Sequence, residues 1–415
     1  MRRSQRSLAW GLLAALTLSA GCTRAEGIVA PTRRATPTTV ATDQIAAPDA
    51  WIRSQHPVWH GAGYQLLNSV RFGGPGLLAA GVDSSGPDAD GALWVSKDGE
   101  TWDRVDEVGF GGPGAQGFHD VAAGPAGIVV VGLDSPAADI DAAVWFSADG
   151  RSWDRVSSAA FRQVGQEEIL TVVATPTGFV AAGFAVTGEE ADAAVWISPD
   201  GRSWTRVEDS ALSEPGTQRI YSLVVTPLGL VAGGTHYHPN QFGLYNLDAR
   251  IWVSADGSSW EVVDDATFGG PGWQFISTVV ATPEGLVAAG GDILGQPGFH
   301  NDAAVWTSAD GRTWARVSDP ALSGIGAQHI SSLVLGPEGL IAVGYDTAPR
   351  GNRIPAVWSS RNGTRWVRVV DPGLTEPGHR WMNAVAADAK RLVAVGTDGT
   401  RPVGDPAVWW FGPRM

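Results

Sequence analysis

One cysteine and five tyrosines in 415 residues set the first limits on this chain. Cys22 has no second cysteine to pair with, so no internal disulfide forms and no cysteine-based metal pattern exists. Lysine is nearly absent too: Lys97 and Lys390 stand alone, and arginine carries the rest of the positive charge. Acids outnumber bases to give a formal net charge of −14, which argues against nucleic acid or anionic lipid as a direct partner. Outside residues 8–18, no run stays apolar for the roughly 18–20 residues that a membrane span requires. G-x-S-x-G and H-E-x-x-H are missing as well. GPGAQG at 112–117 satisfies G-x-G-x-x-G by letter, but it joins two strand patterns with no helix behind it, so a dinucleotide site is excluded.

Tryptophan is abundant and periodic. Trp51, Trp102, Trp153, Trp204, Trp260, Trp314 and Trp366 recur at spacings of 51, 51, 51, 56, 54 and 52 residues. Each repeat reads as four short strands. In the sixth, these are 330–335, 340–344, 356–359 and the segment after Trp366, with Gly-Pro-Glu-Gly as the first turn. A second tryptophan series marks the third strand at Trp94, Trp145, Trp196, Trp252, Trp306, Trp358 and Trp409. Four-strand repeats of this length, unable to bury their faces alone, predict an all-β, seven-bladed β-propeller. The last repeat stops at Trp409-Trp410-Phe411, one strand short, and the stretch from Trp51 aligns with that from Trp314. Residues 51–56 are therefore expected to complete the C-terminal blade and close the ring, removing open sheet edges.

The turns between third and fourth strands read SKDGETW, SADGRSW, SPDGRSW, SADGSSW, SADGRTW and SRNGTRW. Asp98, Asp149, Asp200, Asp256, Asp310 and Asn362 are suited to accept bonds from following amides, the Gly to allow the turn and the Trp to lie back over it. Asn362 lacks the charge an ion site needs, so capping rather than metal binding is the reading. Here the chain resembles the Asp-box, or BNR-repeat, propellers, a superfamily that includes sialidases, other glycosidases, sortilin-like receptors and photosystem assembly factors. The resemblance implies the fold. It does not carry the sialidase activity across, because no FRIP-like strand is present and the arginine triad and Tyr–Glu pair cannot be placed. A further acid stands four residues before the third-strand Trp in six repeats, Asp90 and Asp248 among them, and an Arg two residues after the box Trp. Structural pairing of that acid with that Arg is expected.

Residues 1–21 resemble a bacterial lipoprotein signal peptide: Arg2, Arg3 and Arg6, an apolar run, then Ser19, Ala20 and Gly21 before Cys22. Lipid on Cys22 and an extracytoplasmic membrane address are what this implies. Residues 22–50, rich in Thr, Ala and Pro, read as a tether, and 51–415 as the propeller.

Ligand chemistry is sought where the repeat breaks. Loop 235–248 brings His236, Tyr237, His238, Phe242, Tyr245 and Asn246, loop 291–302 brings Phe299 and His300, and Trp273 is a tryptophan outside both series. Residues that blade packing does not demand are the better functional choices, and aromatic faces beside imidazole and amide groups suit a sugar or a peptide. Two histidines are too few for a metal site, and no cofactor is implied. The leading expectation is a monomeric, non-enzymatic recognition or assembly module for carbohydrate or protein. A glycoside hydrolase, with acids drawn from Glu167, Glu168, Glu189, Glu190 and Glu214, is the alternative; a purely structural spacer is the third. Gln65, Gln116, Gln218, Gln274 and Gln328 recur just before the first strand, where they are expected to bond neighbouring loops.

Overall fold

The repeat resolves into hairpins. The computed structural model describes residues 50–59, 63–136, 139–163, 165–239, 245–293, 301–347, 351–376, 378–400 and 404–411. These residues form five four-stranded antiparallel sheets and one eight-stranded sheet. The eight-stranded sheet consists of two four-strand units, beginning at Thr217 and at Trp273, that meet at a single parallel bridge, Leu247 to Trp273. In the unit predicted from residue 330 onward the strands are Gln328–Gly336, Gly339–Thr347, Arg353–Ser360 and Val367–Arg368. The described residues lie within one unit, Ala47–Met415.

Each strand forms for reasons visible in the chain. Val, Ile and Leu alternate with small residues, so both faces of the middle strands can be covered by a neighbouring sheet. Glycine at positive φ, as at Gly339 (φ 127°), lets the first hairpin turn back. The first strand of every unit carries a register shift, as between Ile330 and Ser332. Such a bulge turns the following side chains toward the adjacent unit. Thus Ser69 Oγ donates to Asp120 Oδ1 at 2.6 Å and Thr171 Oγ1 donates to Asp120 Oδ2 at 3.2 Å, tying three units through one buried carboxylate.

Both tryptophan series are buried, and most of their indoles are hydrogen-bonded, Trp94 and Trp153 being exceptions. The third-strand indoles reach back to the short 3-10 turn of the unit before: Trp306 Nε1 donates to Thr267 O at 2.8 Å and Trp358 Nε1 to Ala321 O at 2.8 Å. The other series closes its own turn, as Trp314 Nε1 does by donating to Gly311 O at 3.0 Å. An aspartate joins the two levels. Asp319 caps its 3-10 turn by accepting from Ala321 N, and its other oxygen accepts from Trp366 N at 3.1 Å. Asp371 accepts the same bond from Trp51 N at 2.9 Å.

That last bond puts the N-terminal segment on the C-terminal sheet. Ile52 pairs with Trp410 and Arg53 with Trp409, and the sheet order runs from Ile52–Arg53 through Asp405–Phe411 and Leu392–Asp398 to Arg380–Ala387. On its other side this sheet meets the first: Asn383 Nδ2 donates to Leu67 O at 2.8 Å, and Leu67, Leu77 and Trp94 share one core with Val393, Val395 and Trp410. The remaining cores likewise lie between consecutive units, as with Leu78 and Leu93 against Phe118, Val121 and Trp145.

Because the strands of each unit alternate in direction, the first and third connections lie at one end and the second and fourth at the other. The S-x-D-G turns occupy the first end. The loops that break the repeat occupy the second.

Candidate functional site

At the loop-bearing end, the fourth unit has an overgrown hairpin. Its middle strands run Gly229–Pro239 and Tyr245–Ser254, against Gly178–Thr187 and Glu190–Ser198 in the third unit and Leu392–Asp398 and Asp405–Phe411 in the last sheet. The pairing continues to Pro239 and Tyr245, so the hairpin is a ladder and not a loose loop. Leu247 then bridges to Trp273 of the next unit, which is half-buried against it.

The two histidines of this hairpin share one side of the strand, and their rings lie 4.7 Å apart at 31°. Both are engaged. Arg250 donates to His236 Nδ1 at 2.5 Å, so His236 Nε2 carries the hydrogen and donates to Pro215 O at 2.9 Å. Burial, then the positive charge of Arg250, pushes the His236 imidazole below its ordinary range. His238 Nε2 lies 2.8 Å from Asp248 Oδ2, and Asn246 Nδ2 donates to Asp248 Oδ1 at 2.8 Å. These bonds tie both rings into the hairpin. Tyr237 points to the opposite side of the strand, as residue alternation requires, and with Trp273 it forms what remains of the expected patch among the described residues. The side chain of Tyr245 and all of Phe242, Phe299, His300 and Cys22 lie outside the described residues. Among the described residues no group of three His, Cys, Asp or Glu could hold a metal ion.

The arginine after the box Trp does not pair with the acid expected for it. Arg104, Arg155 and Arg316 instead reach Asp83, Asp134 and Asp292 on the second strand, the last at 3.0 Å. The reason is the tryptophan beneath: each guanidinium crosses a third-strand ring, with Arg316 4.6 Å from the Trp306 centroid, and this path leads past the third strand to the second. The recurring glutamines complete the motif. Gln116 Nε2 donates to Asp134 Oδ1 at 2.7 Å and Gln328 Nε2 to Asp346 Oδ1 at 2.9 Å, so the bond is to their own sheet. His236 occupies this aspartate's place in the fourth unit, as its register partner Gln218 shows.

Four of the five glutamates of the loop-bearing end, Glu167, Glu168, Glu190 and Glu214, are also engaged. Glu167 pairs with Arg206 and accepts from Gln163 N at 3.2 Å. Glu214 pairs with Arg250 at 2.6 Å, Glu190 accepts from Gly216 N at 3.1 Å, and Glu168 lies 3.4 Å from His119 Nε2. At the opposite end, Asp310 Oδ1 accepts from the amides of Arg312 and Thr313 at 2.8 Å each, and these bonds hold its carboxyl below the usual range. Asn362 Oδ1 makes the same pair of bonds at 3.0 and 3.2 Å.

A feature that the repeat pattern does not disclose runs across the fifth to last units. Phe275, His329 and Tyr345 stack with centroids 5.3 Å apart at each step, Arg353 lies 4.2 Å over Tyr345 and 5.3 Å over Trp381, and His379 meets the edge of Trp381. Three of these residues follow or match one variable position, the residue after the recurring Gln: Leu66, Gly117, Glu168, Arg219, Phe275, His329 and, after Arg380, Trp381. Reading that column was the available clue.

No protein-family model matches the chain, and no curated protein does. Among solved structures it is similar to a Trypanosoma rangeli sialidase, at 14% identity and a TM-score of 0.48, over 88% of this chain and 60% of that one. The same sialidase in complex with the inhibitor DANA gives 13% identity and a TM-score of 0.47, again over 88% and 60%. A Penicillium chrysogenum α-L-arabinanase complexed with arabinobiose gives 17% identity and a TM-score of 0.45, over 78% of this chain and 98% of that one. The chain thus spans 60% of the sialidase's length. Likenesses this distant assign neither activity nor ligand.

Proposed function

We propose that this chain is a recognition protein: a closed, seven-bladed Asp-box propeller, monomeric, held by a lipid on Cys22 at the outer face of a membrane, that binds a carbohydrate or protein without turning it over. The observation that carries recognition is the overgrown hairpin of the fourth unit, fastened to its neighbour through Leu247 and Trp273. Extending a ladder beyond the packed core orders residues without burying more of it, and such rigid extensions at a loop-bearing end suit binding. Seven blades are supported by the five four-stranded sheets together with the two halves of the eight-stranded one, and closure by the Ile52–Trp410 pairing and the Asn383–Leu67 bond. The engagement of Glu167, Glu168, Glu190 and Glu214 favours binding over hydrolysis, since a glycosidase needs two carboxylates directed at substrate about 5–10 Å apart.

A screen of glycans and cell-wall fragments on residues 51–415 tests the reading, with a Trp273→Ala, Tyr237→Ala double variant as control. Binding that the variant loses while keeping its melting transition, with no product over time, is the expected result. Product formation, or binding indifferent to both substitutions, would sink it.

A further inference from the structure

Arg353 breaks the charge pairing of the rest of the molecule. Among the described residues, every partly or fully buried arginine except Arg219 and Arg353 has a carboxylate within ion-pair distance. Arg219 lies 4.1 Å over Phe184, whose cross-strand partner is Glu168, so an acid stands one strand away. Among the described residues, rings and no carboxylate flank the Arg353 guanidinium. The internal segments outside the described residues, 60–62, 137–138, 164, 240–244, 294–300, 348–350, 377 and 401–403, contain no Asp or Glu. Among the described residues of a chain with a net charge of −14, this half-buried guanidinium is thus left without a carboxylate at the loop-bearing end, where the strand Arg353–Ser360 begins.

The surroundings narrow what would complete it. Tyr345 and Trp381 flank the guanidinium at 4.2 and 5.3 Å, which fixes its plane and leaves the N–H fork for a bidentate acceptor. His329 Nδ1 and Asn301 Oδ1 are buried nearby with no hydrogen-bond partner among the described residues. Their neighbourhood follows from the His329–Tyr345 stack and the contact of the Asn301 side chain with Tyr345. The ring faces are already occupied by one another and by Arg353. A sugar wants an open aromatic face to lie on, whereas ring edges around a charged fork suit an inserted side chain, and Trp, Tyr and Arg are the residues that dominate protein interfaces.

We infer that Arg353, flanked by Tyr345 and Trp381, anchors a protein partner that presents an Asp or Glu carboxylate next to an apolar side chain. This deepens the recognition reading above and rests on it.

The test is an array of random nine-residue peptides with a central Asp, each beside its Asn twin, probed with the wild type, Arg353→Met, Arg353→Lys and Trp273→Ala proteins, all checked for unchanged melting. The wild type prefers Asp members by about tenfold or more, as loss of a charged hydrogen bond implies. Arg353→Met loses that preference, and Arg353→Lys keeps only part, because the fork is gone. No preference for Asp over Asn, or a preference that survives Arg353→Met, overturns the inference. Quenching of tryptophan fluorescence by D-glucuronate without any peptide preference overturns it in favour of an acidic glycan and leaves recognition standing. Binding lost in Trp273→Ala but retained in Arg353→Met also leaves recognition standing, whereas silence in both this array and the glycan screen removes both.

Discussion

Replacing His329 by Phe should make the protein less sensitive to acid. His329 is 8% exposed, between the rings of Phe275 and Tyr345. Desolvation, followed by the positive charge of Arg353, pushes its imidazole from the ordinary 6.5 down to about 3. A histidine whose folded value is depressed stays neutral while the unfolded chain takes up a proton, so stability is intact above about pH 6.5 and falls as the pH drops toward 3. Each unit well below pH 6.5 is worth about 1.4 kcal/mol, which makes a loss of about 2.7 kcal/mol between about pH 7.5 and about pH 4.5 attributable to this one ring. Phenylalanine fits the stack and does not titrate. Urea unfolding of wild type and His329→Phe at about pH 7.5 and about pH 4.5 isolates the term, since all other groups titrate alike in both proteins. The stability difference between the two should shift by that amount in the variant's favour on acidification. Parallel pH curves would refute the burial argument.

Trp306→Phe removes an indole that is 0% exposed and leaves Thr267 O without its donor, at an expected cost of about 2–4 kcal/mol in denaturant unfolding. Asp310→Ala deprives the amides of Arg312 and Thr313 of their acceptor and lowers the melting temperature at neutral pH. Because those bonds depress the Asp310 carboxyl, their stabilisation is present above its unfolded value of 3.8 and lost as the pH falls further, so variant and wild-type melting curves should converge only in that acid range. Deleting residues 50–56 uncovers the edge of the strand Asp405–Phe411, and light scattering should report association that the intact chain does not show. Arg53→Ala is the milder version: Asp398 loses one of two arginines but keeps Arg380 at 2.8 Å, so about 1–3 kcal/mol is expected.

The order of the strands and the pairing of the N-terminal segment with the C-terminal sheet were legible because packing repeats. A tryptophan every fifty-odd residues, Gly-bearing turns and the Trp51-to-Arg53 match to Trp314 and Arg316 carry that information locally. Strand ends were less so. The first strand of the sixth unit was expected at 330–335 and runs Gln328–Gly336, since the ladder continues past the apolar core into residues whose letters are polar. Side-chain partners were the least legible. Asp90 and Asp83 are cross-strand neighbours, and nothing in the spacing says that Arg104, carried over the Trp94 ring, meets the second rather than the first. His236 and His238 stood out because they depart from the repeat, but the letters do not disclose that His236 stands in a structural aspartate's place with Arg250 against it. The stack through His329 depends on which residues of three sheets face one another, and that is decided by inter-sheet packing rather than by any local pattern.

The most direct test of the central claim is a hydrogen-exchange footprint of residues 51–415 with and without the tightest ligand from the glycan and peptide screens, with the ligand recovered afterwards. Protection confined to the loop-bearing end, over 235–239, 245–248 and 273 or around 345–353 and 381, with the ligand returned unchanged, is the predicted result. Protection centred on the S-x-D-G turns at the opposite end, or recovery of a cleaved ligand, would contradict it.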